Sequence, residues 1–221
     1  MCSFIFNEVA QVKSPEALKL LLMESGIPLA SETGLQLTTY LALLEKWNPR
    51  INLTSSTEWR VIGPMFCEGI WASKFYPPLA VAHLDIGSGA GFPALLLKML
   101  NPRINLELVE SREKKGQFLE TAAHALGLTG IQVHHARLAD YLRRRGERDG
   151  WDCVSWKALK LCTEDLLQLH ARGGGRTEFW MFHGLEPAVE AAEELEKNFA
   201  LVRTERVPCT RGSNLSIYRP R

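Results

Sequence analysis

A run of glycines and two acidic residues carry the chemistry that this sequence suggests. In DIGSGAGFP, residues 85–93, three glycines stand at alternate positions, and Asp85 precedes the first of them by two residues. Glycine accepts positive φ and lets a ligand approach the backbone closely. A second acid, Glu110, ends the next alternating apolar segment about 20 residues further on, where a carboxylate can accept hydrogen bonds from ribose hydroxyls. The pattern indicates a loop that holds a nucleoside-containing ligand.

The spacing of these glycines differs from that of two common phosphate-binding loops. A dinucleotide fingerprint, G-x-G-x-x-G, needs a third glycine where this chain has Phe92. A P-loop needs Gly-Lys-Ser/Thr, which does not follow. The spacing instead resembles motif I of class I S-adenosylmethionine-dependent methyltransferases. The resemblance implies S-adenosyl-L-methionine as methyl donor, S-adenosyl-L-homocysteine as product and no metal. Asp85 would address the cationic methionine part of the donor, directly or through water.

Alternating strands and helices after Pro78 are expected to position this loop. We predict strands near Val81–Ile86, Asn105–Glu110, Ile131–His135, Cys153–Trp156 and Glu178–Phe182, and helices near Phe92–Leu100, Glu113–Leu126, Ala139–Arg145, Glu164–Ala171 and Glu186–Asn198. Two last strands, near Leu201–Val207 and Asn214–Arg219, have no helix between them and should form an antiparallel hairpin. This series predicts an α/β, Rossmann-like doubly wound sheet of the class I methyltransferase type, with one antiparallel edge strand.

Residues 1–78 are predicted to form a helical N-terminal extension, ahead of a donor-binding domain at 79–221. Ser14-Pro15-Glu16 resembles a capped helix start, and Gly26-Ile27-Pro28 breaks that helix. A second helix should run from about Ser31 to Trp47, before a turn at Asn48-Pro49.

Composition limits the partners and the compartment. The 221 residues contain 26 Lys and Arg against 25 Asp and Glu, so nucleic-acid binding would need a local basic patch. No apolar run reaches transmembrane length. The five cysteines include no C-x-x-C pair, which argues against a zinc site or a disulfide framework. We expect a reduced, cytoplasmic protein with no membrane partner.

Three segments together resemble the GidB/RsmG family. They are EKWNPRINLTSS (residues 45–56), DIGSGAGFP (85–93) and LVESREKKGQFLE (108–120). The resemblance implies a methyltransferase that modifies N7 of one guanine in small-subunit ribosomal RNA. Its partner would be ribosomal RNA or the small ribosomal subunit, and we expect a monomer.

The resemblance also assigns roles to individual residues. The donor would lie against Asp85, Gly87, Ser88, Gly89, Gly91, Phe92, Glu110, Ser111, Leu138, Ala139 and Lys157. RNA phosphates would meet Lys114, Lys115, Arg137, Lys160 and Arg211. Positioning of the base would fall to Arg137, Lys157 and His183. No nucleophile or general base is expected, because guanine N7 has a free lone pair and no proton to lose. The adjacent His134 and His135 are expected to be ordinary strand residues.

Departures from the family pattern lie on the acceptor side. An Arg-Ala pair becomes Lys157-Ala158, a Lys-Gly pair becomes His183-Gly184, a late arginine becomes Ser213, and His…Asp-Ser becomes Met65…Glu68-Gly69. An acid of the family is also replaced by Ala139. Lysine lacks the bidentate fork of arginine.

If His183 titrates normally, RNA binding should strengthen as the pH falls from about 7.5 to 6. RNA binding should also weaken as the salt concentration rises.

Two other functions stay open at this point. One is a methyltransferase of the same fold that acts on another RNA, a small molecule or a protein. The other is a non-catalytic RNA-binding module with a relic donor pocket, although an intact glycine loop argues against a relic because glycine costs chain entropy.

Overall fold

A central sheet organises the molecule. The computed structural model describes residues 13–146, 150–184, 196–208, 210 and 212–221. Its strands are β1 (Ala82–Ile86), β2 (Asn105–Glu110), β3 (Ile131–His135), β4 (Cys153–Lys157), β5 (Glu178–His183), β6 (Phe199–Arg206) and β7 (Asn214–Pro220). They form one seven-stranded sheet in the order β3-β2-β1-β4-β5-β7-β6, in which β1 to β5 are parallel. The predicted doubly wound α/β fold is confirmed.

The last two strands form the predicted antiparallel hairpin, with one refinement of their place in the sheet. Strand β7 pairs antiparallel with both β5 and β6. The antiparallel strand therefore lies one position in from the edge, and the edge strand β6 runs in the same direction as β5. Because β7 pairs with β5, Asn214 of β7 lies opposite His183 at the end of β5.

Helices cover both faces of the sheet. They are α1 (Ser14–Glu24), α2 (Glu32–Ile51), α3 (Trp59–Ala72), α4 (Ala94–Leu100), α5 (Glu113–Ala125), α6 (Leu138–Arg145) and α7 (Thr163–Arg172). One hydrophobic cluster joins α1 to α5 with Leu106 and Leu108 of β2. A second joins α6 and α7 with Leu84, Val109 and Val154 on the opposite face. The helix predicted at 186–198 lies mainly outside the described residues.

Three predictions about the N-terminal helices were wrong in detail. Lys13 rather than Ser14 is the N-cap of α1, and the Ser14 hydroxyl donates to the Thr57 carbonyl oxygen at 2.9 Å. Helix α2 continues through the expected turn at Asn48-Pro49 and ends at Ile51, with the C-cap Asn52 at φ 50°. Helix α3 was not predicted, because Pro64 and two glycines interrupt its pattern. Tertiary packing outweighs these local preferences.

Packing of the extension against the glycine loop depends on aromatic rings. Tyr40 of α2 and Phe66 of α3 each lie 5.3 Å from the Phe92 ring, measured between centroids. The Tyr40 hydroxyl also donates to the Ala90 carbonyl oxygen at 2.5 Å. The extension therefore supports the loop directly, and the division at residue 78 stays a prediction. Within the described residues, no helix is long and apolar enough to cross a membrane.

Gly69 allows α3 to approach α4, which gives a test of this packing. A Cβ at Gly69 would lie 2.6 Å from Cδ2 and 2.7 Å from Cβ of Leu96. We expect Gly69→Ala to lower the free energy of unfolding by about 1–2 kcal/mol, since overpacking outweighs the better helix propensity of alanine. Gly175→Ala is the control, because no atom lies within 4 Å of its added Cβ. Equal stability of both variants in urea denaturation would contradict this packing.

Candidate active site at the carboxyl edge of the sheet

The glycine loop connects β1 to α4 and folds over the end of β2. Gly87, Gly89 and Gly91 have φ of 69°, 56° and 94°. The amides of Gly87 and Ser88 donate to the Val109 carbonyl oxygen at 2.8 and 3.3 Å. A Cβ at Gly91 would meet Leu95 at 2.5 Å, so this position also excludes a side chain by contact. These bonds hold an open stretch of backbone at the edge where α/β sheets bind ligands.

Glu110 joins this loop to the next one. Its Oε2 accepts from the Gly89 amide at 2.8 Å, and its Oε1 accepts from the Arg112 amide at 2.7 Å. The residue is only 6% exposed. A carboxylate offers about four acceptor sites. The two backbone bonds therefore leave acceptor capacity for the hydroxyls of a ligand, in agreement with the predicted place of Glu110.

Asp85 lies beneath the loop in a buried polar chain. The Ser155 hydroxyl donates to Asp85 Oδ1, and His83 Nε2 lies 2.8 Å from Ser155 Oγ. Since Ser155 donates to Asp85, the His83 Nε2–H donates to Ser155, which leaves Nδ1 without a partner. Burial raises the pKa of Asp85 to about 7 and lowers the pKa of His83 to about 3. With Asp85 2% exposed, its direct contact with a ligand stays a prediction.

Lys157 at the end of β4 is not a free cation. Its Nζ forms a short ion pair with Oε1 of Glu68 on α3, a carboxylate that is almost fully buried. Burial raises the pKa of Glu68, and the Lys157 charge and hydrogen bond oppose that rise. The predicted positioning role of Lys157 stays a prediction, and the structure adds that an acid on the helical extension balances its charge.

His183 also differs from its prediction. Nδ1 lies 2.8 Å from the Gly184 carbonyl oxygen and therefore carries the proton, while Nε2 accepts from the Ser216 hydroxyl at 2.9 Å. Burial lowers the pKa of His183, opposed by the Gly184 bond. The predicted strengthening of RNA binding as the pH falls stays a prediction, but it assumed an unperturbed histidine, and the lowered pKa moves it towards lower pH. The charge on His183 appears only at lower pH.

The other predicted residues surround this edge. Leu138 is buried, and the Phe92 ring packs against the helical extension. The predicted site residues that are exposed to solvent are Ser111, Lys114, Arg137, Ala139 and Lys160. Lys115 is half-buried, and Arg211 lies outside the described residues. Strand pairing of Glu110 with His135 brings Arg137 to the end of the strand next to Glu110. The individual roles of these residues stay predictions.

Sequence reasoning missed several residues that support the site. Tyr40 bonds the loop, Ser155 bonds Asp85, and Leu159 would lie 3.1 Å from a Cβ at Gly87. The signal for Ser155 is its register opposite Asp85 in the β1–β4 pair, which is read only once the strand order is known.

A second polar cluster surrounds Glu107 on the β2–β3 part of the sheet. The Tyr141 hydroxyl donates to Oε2 at 2.7 Å and the Trp151 indole to Oε1 at 3.1 Å, with His134 and Arg145 also in contact. This cluster borders a cavity of about 380 Å³.

His134 is a strand residue, as predicted, and so is His135, whose ring contacts the Glu120 carboxylate. On α6, the Arg143 guanidinium pairs with the Asp140 carboxylate.

The pKa of Glu107 gives a test by pH. Despite burial, hydrogen bonds from His134, Tyr141 and Trp151 and the Arg145 charge lower this pKa to about 2. The folded pKa is below the unfolded value, so the stabilisation is complete above about pH 4.5 and is lost as the pH falls towards 2. We expect Glu107→Gln to cost about 2 kcal/mol at pH 7 and progressively less below pH 4.5. The exposed Glu24→Gln is the control. A cost that stays constant between about pH 6 and 2.5 would contradict the assignment.

Comparison with known sequences places this geometry in a family. Residues 34–218 match the GidB family model, described as rRNA small subunit methyltransferase G. The ribosomal RNA small subunit methyltransferase G of Streptococcus pneumoniae strain R6 is 32% identical over 156 residues, covering 66% of this chain and 62% of that protein. The protein of the same name from Streptococcus agalactiae serotype V is 33% identical over 157 residues, covering 66% and 63%. The alignment thus spans less than two thirds of these relatives.

Solved structures agree on the fold. The mitomycin 7-O-methyltransferase MmcR has a TM-score of 0.60 at 15% identity, over 99% of this chain and 75% of that chain. A SAM dependent methyltransferase from Aquifex aeolicus has a TM-score of 0.54 at 16% identity, over 72% and 91%. These likenesses show a shared architecture.

Since the family model spans α3, the sheet and most of α2, the chain belongs to the GidB family, rRNA small subunit methyltransferase G.

Proposed function

We propose that this chain is an S-adenosylmethionine-dependent methyltransferase that methylates N7 of a guanine in small-subunit ribosomal RNA. The observation that carries the proposal is the Glu110 carboxylate, fixed by the Gly89 and Arg112 amides beside a G-x-G-x-G loop, in a chain of this family. Ribosomal RNA or the small subunit would be the partner, and a cytoplasmic location follows from that substrate.

The residues around the loop fit the donor. Acceptor sites on Glu110 suit the two ribose hydroxyls, and the glycines expose backbone amides and carbonyls along the ligand. The donor contains no pyrophosphate, which agrees with the absence of a dinucleotide glycine at Phe92. Within the described parts of the chain, no group of three metal-ligating side chains is present. The proposed reaction requires none.

The proposed chemistry depends on positioning. When bound, the donor supplies a methyl group attached to a cationic sulfur. The N7 lone pair forms the new N–C bond while the C–S bond breaks, and the bonding pair stays on sulfur as a neutral thioether. The positive charge moves to the guanine ring and no proton is removed. The protein would contribute alignment of the two reactants and the electrostatic environment of the moving charge.

The acceptor side has less positive charge than the family pattern, which keeps a second candidate open. His183 and Ser213 stand where the family pattern has a lysine and an arginine, and burial lowers the pKa of His183. Lys114, Arg137 and Lys160 are exposed and stay the proposed phosphate contacts. A different acceptor, such as another RNA, a small molecule or a protein, is the alternative that this loss of charge favours.

Mass spectrometry of ribosomal RNA tests the acceptor. Small-subunit RNA from cells that lack the protein, incubated with the protein and S-adenosylmethionine, should gain one methyl group on a single guanine. Activity should fall steeply with salt, because phosphate contacts depend on counterion release. The control is the same RNA without protein. Methylation that appears only on another molecule would transfer the proposal to the alternative acceptor.

Donor binding can be tested at Glu110 separately. Glu110→Gln should weaken the binding of S-adenosylmethionine, measured by calorimetry, by about 1.5–3 kcal/mol, the range for a hydrogen bond to a charged group. The fold should survive, because the amide oxygen still accepts one backbone bond. Glu113→Gln, exposed in the first turn of α5, is the matched control. Unchanged affinity in Glu110→Gln would remove this residue from the donor site.

A further inference from the structure

Glu68 lies where the helical extension meets the carboxyl end of β4. Its residue is 1% exposed, whereas the side chain of its ion-pair partner Lys157 is 27% exposed. The buried carboxylate is therefore the fixed member of the pair, and the ammonium group is the member that reaches towards solvent. An ionised carboxylate in such a place needs a partner, because burial without one is strongly unfavourable.

Packing on both sides fixes the backbone that carries Glu68. Phe66, two residues earlier, contacts the Phe92 ring, and Gly69, the next residue, lies against Leu96 with no space for a Cβ. Helix α3 is thereby held against both the glycine loop and α4. The Glu68 carboxylate is presented from a rigid element, which is the requirement for placing another group precisely.

Strand register places Lys157 beside the donor loop. Trp156 pairs with Ile86 in the β1–β4 ladder, so Lys157 follows at the level of Gly87. Two residues further on, Leu159 packs over Gly87. The ammonium group thus lies between the loop proposed to hold the donor and the side from which an acceptor base would enter.

We propose that Glu68 is a positioning residue for methyl transfer, which holds the Lys157 ammonium group at the border between donor and acceptor. The inference rests on the proposed function.

This role predicts a specific kinetic signature. Glu68→Gln keeps the size of the side chain and removes its charge, so Lys157 loses its ion pair and the charge of Lys157 is no longer balanced. We expect kcat on small-subunit RNA to fall about 10- to 100-fold, the effect of a misplaced group. The KM for RNA should stay equal or decrease, because the released cation attracts phosphate. Glu58→Gln, in the exposed pair with Arg60, is the control and should change neither value.

A double variant, in which a shorter acid faces a longer cation, separates positioning from simple loss of stability. Glu68→Asp and Lys157→Arg alone should each lower kcat, and the double variant should recover to within about threefold of wild type if the two residues are coupled. Additive losses in the double variant, or a Glu68→Gln enzyme with wild-type kcat, would overturn the inference while leaving the proposed function intact. A wild-type protein that binds the donor and methylates no RNA would overturn the proposed function, and this inference with it.

Discussion

The Glu110 carboxylate is the constraint on which the site depends. It accepts one amide from the glycine loop and one from the turn after β2, and so fixes two chain segments relative to each other. Hydrogen bonds to a charged group stabilise by about 1.5–3 kcal/mol each. Parallel strands deliver both segments to the same edge of the sheet. The helical extension completes the support from below, through the Tyr40 hydroxyl on Ala90.

The extension and the donor loop therefore act as one structure. Rings from α2 and α3 meet Phe92 at the end of the loop, and Glu68 of α3 meets Lys157 at the end of β4. A helical element that precedes the sheet in sequence thus contacts both the donor side and the acceptor side of the proposed cleft. This arrangement explains why the family match begins within α2 and not at the first strand.

Sequence reasoning predicted the sheet because its signals are local. Strand periodicity, the glycine spacing and the acid at position 110 are each read from short segments, and β2 and β3 have the predicted bounds. Helix α3 was missed because Pro64 and Gly69 suggest a break, whereas packing against Leu96 makes the glycine favourable. The C-terminal end of α2 was also misplaced, since Asn48-Pro49 suggests a turn whereas the helix continues through Pro49 to Ile51.

The charge state of the acceptor side could not be read from sequence. Glu68 and Lys157 are 89 residues apart, and only the fold brings them together. The lowered pKa of His183 reflects burial, and its neighbour Ser216 is brought beside it by the insertion of β7 next to β5. Residue types alone suggested a cation at Lys157 and a conditional one at His183, whereas the fold pairs Lys157 with Glu68 and partly buries His183. These contacts are also where the chain differs from its family.

Competitive titration of the wild-type protein with S-adenosylmethionine and NAD tests the central claim most directly. The account predicts saturable binding of S-adenosylmethionine, displaced by S-adenosylhomocysteine, and no binding of NAD, because the loop lacks the third glycine of the dinucleotide fingerprint. Tight binding of NAD with no binding of S-adenosylmethionine would contradict it.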